Sequence, residues 1–217
     1  KVYDDSFSHN HDLSITGGTE KTKVLFAVNY TDEDGMKLAS YYKRANVSLK
    51  VNQKIAKNVD ISLDTRYTNT KKMGDEGVRN GSGSVLSSSY RFRPIATENI
   101  LGDLNAMNEG MIENYAKQSQ WDRYNPVNRI NDNYSPKDYQ ALRGILSLNW
   151  EIVKGLTYHS DLSLNQSWNQ NKTWTGAIVN SYMDDNTGEI LYAGNAELEK
   201  SNKWGLRWSC LLYTSDA

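Results

Sequence analysis

Residues 44–68 read RANVSLKVNQKIAKNVDISLDTRYT, and the meaning of their alternation decides the fold. Ala45, Val47, Leu49 and Val51 alternate with Asn46, Ser48, Lys50 and Asn52. After the linker KIAKN (54–58), Val59, Ile61, Leu63 and Tyr67 alternate with Asp60, Ser62, Asp64 and Arg66. Successive side chains of a strand point to opposite faces. The stretch therefore reads as two strands joined by a short turn, with one apolar face and one polar, often charged face.

The same period of two recurs along the chain. TKVLFAVNYT places Val24, Phe26, Val28 and Tyr30 against Lys23 and Asn29. ALRGILSLNWEI places Leu142, Leu146, Leu148, Trp150 and Ile152 against Arg143, Ser147, Asn149 and Glu151. LTYHSDLSLNQSW places Leu156, Tyr158, Leu162, Leu164 and Trp168 against His159, Asp161, Ser163 and Asn165. The runs are roughly 9–13 residues each, which suits the ~9–11 residues of a tilted membrane strand better than the ~5–6 of an ordinary globular one. A two-layer sandwich also alternates, so the connections arbitrate. GGTEKT (17–22), KIAKN (54–58) and VKG (153–155) are short, whereas 31–44, 70–138 and 169–197 are long. Strict short–long alternation is expected of a membrane barrel with turns on one side and loops on the other. All three prolines, Pro94, Pro126 and Pro136, fall in the longest connection, as ladder hydrogen bonding favours.

Composition agrees. Lys and Arg total 25 and Asp and Glu 26, a net charge of −1 that offers no basic footprint for nucleic acid. Mean hydropathy is −0.72, yet a barrel hides its lipid face from such averages because lumen-facing residues alternate with it. Tyr (14) and Trp (6) outnumber Phe (3), a preference for rings with one polar end that suits a lipid–water boundary. Trp150 and Tyr158 are expected near that boundary. The long connection carries a short helix candidate at 84–95 stopped by Pro94, and a second at 100–118 with Leu101, Leu104, Met107, Met111 and Tyr115 at helical spacing. Residues 177–194 read as a small hairpin with DDNTG at its tip.

Four ordered segments carry a family resemblance. HNHDLSITGGTEKTKVLFAVNYTDEDGM (9–36), YYKRANVSLKVNQKIAKNVDISLDTRYT (41–68), YNPVNRI (124–130) and EIVKGLTYHSDLSL (151–164) resemble the SusC/RagA family of TonB-linked outer-membrane transporters of Bacteroidota, over nearly all of residues 3–209. In physical terms Gly17, Gly18 and Gly155 suit tight turns, and Glu20, Lys21 and Thr22 keep the first turn in water. The resemblance implies an all-β fold, a fragment of a large antiparallel transmembrane barrel of about 22 strands with long extracellular loops. It implies a plug, a TonB box that receives energy, a SusD-like surface lipoprotein as partner, and an oligosaccharide or peptide substrate. Some seven or eight strands and neither plug nor TonB box are visible, so residues 1–209 are expected to be a partial barrel with 70–138 as its long extracellular connection. Residues 210–217, CLLYTSDA, hold the lone cysteine. They translate from TGT CTC TTA TAC ACA TCT GAC GCT, a string that resembles a transposase adapter, so they are expected to be an adapter-derived artefact. Strand pairing calls for a polar turn and another alternating strand after KWGLRWS (203–209), and CLLYTSDA offers neither.

Chemistry is sparse. His9 and His11 share a strand face but lack a third ligand at suitable spacing. Asp32–Gly35 and the Asp184, Asp185, Asn186, Glu189 group do not fit a calcium loop. G-x-S-x-G, P-loop and H-E-x-x-H motifs are absent from the sequence. No enzyme activity and no cofactor are expected. If the segment touches a ligand, the candidates are Trp121, Tyr124, Trp168 and Trp174, whose flat rings suit sugar faces, with interface girdle or loop packing as the competing role. A passive porin-like barrel and a soluble carbohydrate-binding β-sandwich are the alternatives that remain open.

Overall fold

A computed structural model describes residues 3–74, 89–90, 126–176, 182–184, 186–191 and 194–214. The strands are β1 (Ser8–Gly18), β2 (Thr22–Asp34), β3 (Tyr41–Ala56) and β4 (Val59–Met73). After the seven-residue helix α1 (Pro126–Asp132) come β5 (Asn133–Tyr134), β6 (Pro136–Val153) and β7 (Leu156–Thr175). The two-residue strands β8 (Tyr182–Met183) and β9 (Ile190–Leu191) precede β10 (Asn195–Thr214). One antiparallel sheet runs in the order β1-β2-β3-β4-β6-β7-β10. It is not closed: β1 and β10 each pair on one side only. β5 continues the register of β6 along β7, through Tyr134↔Trp174 and Asn133↔Thr175.

The register sets the faces expected from the sequence side by side. One cross-strand row runs Leu13, Val28, Val47, Tyr67, Leu142. Another runs Phe26, Leu49, Thr65, Gly144, Leu164, Leu206. Among the described residues only Ile130 is a buried hydrophobic, at 7% exposure, while Leu13, Ile15, Leu146, Leu162, Trp204 and Trp208 lie open. Among the described residues the apolar face has no second layer on it. A sandwich needs such a layer, so the soluble sandwich alternative does not describe this sheet. No helix among the described residues is long and apolar enough to cross a membrane; the strands are what cross it.

Strand length departs from expectation. The seven long strands run from 11 to 20 residues, and all but β1 and β2 exceed the 9–13 that alternation marks. Consequently the first long connection shrinks to residues 35–40, and the second to 74–135. Pro136 is not a loop residue but the first residue of β6, opposite Met73, a position where its missing N–H is tolerated. Pro126 opens α1, where the missing N–H is equally harmless. Residues Cys210–Thr214 extend β10 along Leu156–Ser160 of β7, whereas no such continuation is expected from the sequence. Ladder bonds use backbone alone, so that pairing is indifferent to where those side chains come from. The 100–118 helix candidate lies outside the described residues, as does most of 84–95. In the 177–194 segment β8 and β9 do pair, and Gly188 takes φ 71° in the turn between them.

Short turns and long connections segregate to opposite ends of the sheet, and the turns do not lie on one hydrogen-bonded row. The first ends at Gly18↔Lys23, on a row that continues through Asn52, Ser62, Ser147 and Asp161. The third ends at Val153↔Leu156, five residues beyond Asp161 along β7 and four strand spacings away. At ~3.3 Å per residue and ~4.8 Å per spacing, bringing both turns to one level tilts the strands by about 40°. Closed membrane barrels use tilts of roughly 35–45°.

Candidate functional site

The outward face carries a band with two edges. Apart from the hydroxyls of Thr65 and Ser160 inside the band, the outward residues turn polar at the long-loop edge at Asp32 on β2, Lys43 on β3, Asn69 on β4, Gln140 on β6 and Gln166 on β7. Asp32 and Lys43 are direct partners, as are Asn69 and Gln140, but the steps from β3 to β4 and from β6 to β7 each drop two residues in register. This edge thus slants by four residues over four spacings from β2 to β7, the same sense as the turns and about 35° by the same geometry. Two boundaries set by unrelated residues agree on the tilt. Along β4 the ten-residue rise from Val59 to Asn69 gives about 25 Å at that tilt, the height of an outer-membrane barrel's apolar band.

Rings and charges mark the edges. Trp150 and Tyr158 are direct partners near the short-turn end, where an aromatic girdle is expected. Trp208 donates from Nε1 to Ser160 Oγ at 2.8 Å on the same face, satisfying both polar atoms inside the band. Beyond the upper edge Lys43 Nζ meets Asp32 Oδ2 at 3.0 Å, and Tyr30 Oη donates to the same oxygen at 2.9 Å. The lysine hydrogen bond holds the Asp32 carboxyl below its ordinary value and raises that of Lys43. His9 and His11 stack edge to face at 5.1 Å, next to Phe7 and Tyr30. Among the described residues no group of three His, Cys, Asp or Glu is placed to hold a metal ion. Asp184 Oδ1 instead accepts the N–H groups of Asn186 at 2.7 Å and Thr187 at 3.3 Å, shaping its turn.

The inward face is polar and cross-linked. Thr68 Oγ1 donates to Asn46 Oδ1 (2.9 Å), Asn46 Nδ2 to Asn29 Oδ1 (3.0 Å), and Asn29 Nδ2 to Asp12 Oδ1 (2.6 Å). That hydrogen-bond chain, from a hydroxyl through two amides to a carboxylate, spans four strands. Nearer the short turns His159 bridges Asn149 (2.6 Å) and Asp161 (2.9 Å). Toward the long-loop end the inward face opens into a cavity of about 500 Å³. Arg44, Arg66, Arg143 and Lys203 line it, with Tyr139 and Asn165. A face with this much fixed polarity belongs in water, as the wall of a lumen does.

Of the aromatic candidates, Trp168 and Trp174 stand on the outward parity of β7, above Gln166 and so beyond the apolar band. Trp174 is 54% exposed and opposes Tyr134. Trp121 and Tyr124 lie outside the described residues. The turn glycines divide. Gly155 takes φ 87°, whereas Gly18, at φ 157°, is closed to a Cβ by the Thr22 carbonyl oxygen. Gly17, expected to need the same freedom, has no positive φ and open space around it. The basic cavity is what sequence reading missed: parity puts Arg66 and Arg143 on the polar face, but only register sets them opposite each other.

A slanted lipid band on one face and a hydrated, hydrogen-bonded wall on the other define part of a large β-barrel of the outer membrane. No protein-family model matches the chain. TonB-dependent receptor P3 of Formosa agariphila is 28% identical to it over 98 residues, covering 43% of this chain and 10% of that protein. In fold the chain is similar to the RagAB peptide importer in its closed-closed state, with a TM-score of 0.65 and 13% identity over 97% of this chain and 22% of that one. The open-open state gives 0.61 and 14%, over 91% and 20%. The chain thus spans between a tenth and about a fifth of the length of the proteins it matches. These comparisons agree with the SusC/RagA resemblance of the sequence and with a partial barrel.

Proposed function

We propose that this chain forms part of the barrel wall of a TonB-dependent importer that carries oligosaccharides or peptides across the outer membrane under a SusD-like lipoprotein lid. The observation that carries the reading is the pairing of a lipid band tilted by about 35–40° with a polar inner wall, in a chain similar to a TonB-dependent receptor. A peptide importer among the similar folds favours peptides as one substrate class; the aromatic candidates Trp121, Tyr124, Trp168 and Trp174 would serve stacking contacts with a sugar or a lid, Trp168 and Trp174 doing so from the outward face of β7 above the band. The mechanism is capture at the loop side, withdrawal of a plug by TonB, and passage along the hydrated wall. In the source bacterium, deleting the whole transporter should abolish uptake of its solute, and dissipating the proton gradient should do the same with the protein in place. Uptake that survives the uncoupler points to the passive porin alternative. Affinity purification of the full protein should recover a surface lipoprotein in stoichiometric amount; its absence removes the lid from this scheme.

A further inference from the structure

The inward cavity holds cations without counter-ions. Arg66 and Arg143 are direct cross-strand partners on the same face, a like-charge placement that costs stability in a sheet. Among the described residues neither is ion-paired, nor are Arg44 and Lys203. The nearest inward carboxylate along β4, Asp64, lies toward Lys50 at 3.9 Å, and Arg44 Nε reaches only the neutral Asn46 Oδ1, at 3.2 Å. Four strands, β3, β4, β6 and β10, thus deliver a positive charge each to one cavity.

The ground between the cations is kept low. Gly205 lies opposite Asn165, which lies opposite Arg143, and a Cβ at Gly205 would meet nothing within 4 Å. No backbone strain requires glycine there, since its φ is not positive; what glycine contributes is room. Ala141 and Ser167, direct partners one step nearer the loops, are also small. Tyr139 and Asn165 add neutral hydrogen-bonding groups at the margin. Two adjacent guanidiniums present a fork of donors suited to a carboxylate, and Lys203 adds a point charge. The cavity lies near the loop-side edge of the band, below the ends of β4 at Met73 and β7 at Thr175, where a solute moving inward from the loops passes it.

We infer that the cavity between Arg66, Arg143, Arg44 and Lys203 binds a carboxylate of the passing solute, so that the transporter favours acidic cargo. The inference rests on the import function proposed above. Acidic peptides and uronate-containing oligosaccharides share this chemistry, and the two differ in the arms of the test.

The full transporter in its native membrane is given four fluorescent probes of matched size: a Glu-containing peptide, its Gln counterpart, an oligouronate and a neutral oligosaccharide. Uptake of one acidic probe should exceed that of its neutral twin. Replacing Arg66→Gln with Arg143→Gln should reduce that uptake by about tenfold or more, as loss of a charged hydrogen-bonding pair does, and leave the neutral twin unchanged. Gly205→Phe, which fills the cavity and removes no charge, should give the same selective loss at equal outer-membrane abundance. Equal uptake of acidic and neutral twins, unaltered by these substitutions, overturns the inference while the import function stands. Failure to import any probe or the native solute in a proton-gradient-dependent way overturns the import function itself. A structure of the whole transporter with one of its own Asp or Glu side chains seated between Arg66 and Arg143 also overturns the inference.

Discussion

Gly18 and Gly155 close two of the three short turns by different means. Gly155 needs its positive φ of 87°, and Gly18 needs the space that the Thr22 carbonyl occupies. Alanine at either position should destabilise the full transporter by ~1–2 kcal/mol, measured as denaturant unfolding in detergent micelles. Gly17→Ala should stay within ~0.5 kcal/mol; equal losses at all three positions would mean that turn geometry is not what selects these glycines. Leu49 lies near mid-band on the lipid face, whereas Ser62, between Asp60 and Asp64, is on the wall opposite Asn52 and Ser147. Leu49→Arg should cost ~2–4 kcal/mol in the same assay, and Ser62→Arg far less, because only the first puts a guanidinium into hydrocarbon. At the rim, Asp32 titrates below the ordinary carboxylate value because of Lys43. Its contribution is present above the unfolded-state pKa and is lost as pH falls through its own lower value. In Lys43→Met the carboxyl midpoint, followed by carbon NMR in micelles, should move up. At this scale the sequence was informative about faces and blind to neighbours: alternation assigns Arg66 and Arg143 to the wall, but their juxtaposition depends on a register fixed across 77 positions of chain (143 − 66).

Strands were legible where lipid writes on them. From Leu156 to Leu164 on β7 the outward residues are largely apolar and the inward ones polar, and the alternation is plain. From Gln166 to Thr175 the strand continues between water and water, so Gln166, Asn169, Gln170, Asn171 and Lys172 carry no contrast between faces. Periodicity is lost there although the ladder to β10 is not. The same effect explains the long β10 and the shortened loop at 35–40. The slant of the band provides an element-level test, using single cysteines in a cysteine-free version of the whole transporter and a membrane-impermeant maleimide. Cysteine at Asp32, Asn69 and Gln166 should label, whereas cysteine at Val28, Leu63 and Leu162 should not. These boundaries step down two register positions at a time across the sheet. If labelling instead began on one common hydrogen-bonded row from β2 to β7, the strands would stand upright and the tilt of about 40° would be wrong.

At the scale of the molecule the sheet has no means of standing alone. Its apolar face is uncovered, its one buried hydrophobic among the described residues is Ile130, and β1 and β10 leave a row of backbone groups unpaired. In water the apolar band drives association, and in lipid the open edges are costly because nothing but another strand can satisfy them. The missing partners are the remaining strands of a barrel: this chain covers only 22% of the matched RagAB chain. Residues 1–217 expressed by themselves should therefore give aggregate in buffer. In lipid vesicles they should lack the heat-modifiable, protease-resistant band that closed barrels show on gels. The whole transporter refolded the same way should display both properties. A soluble monomer of the isolated chain with a single cooperative thermal transition would contradict the membrane assignment at its root, because such a transition requires a buried core and this sheet keeps its apolar side chains on the outside.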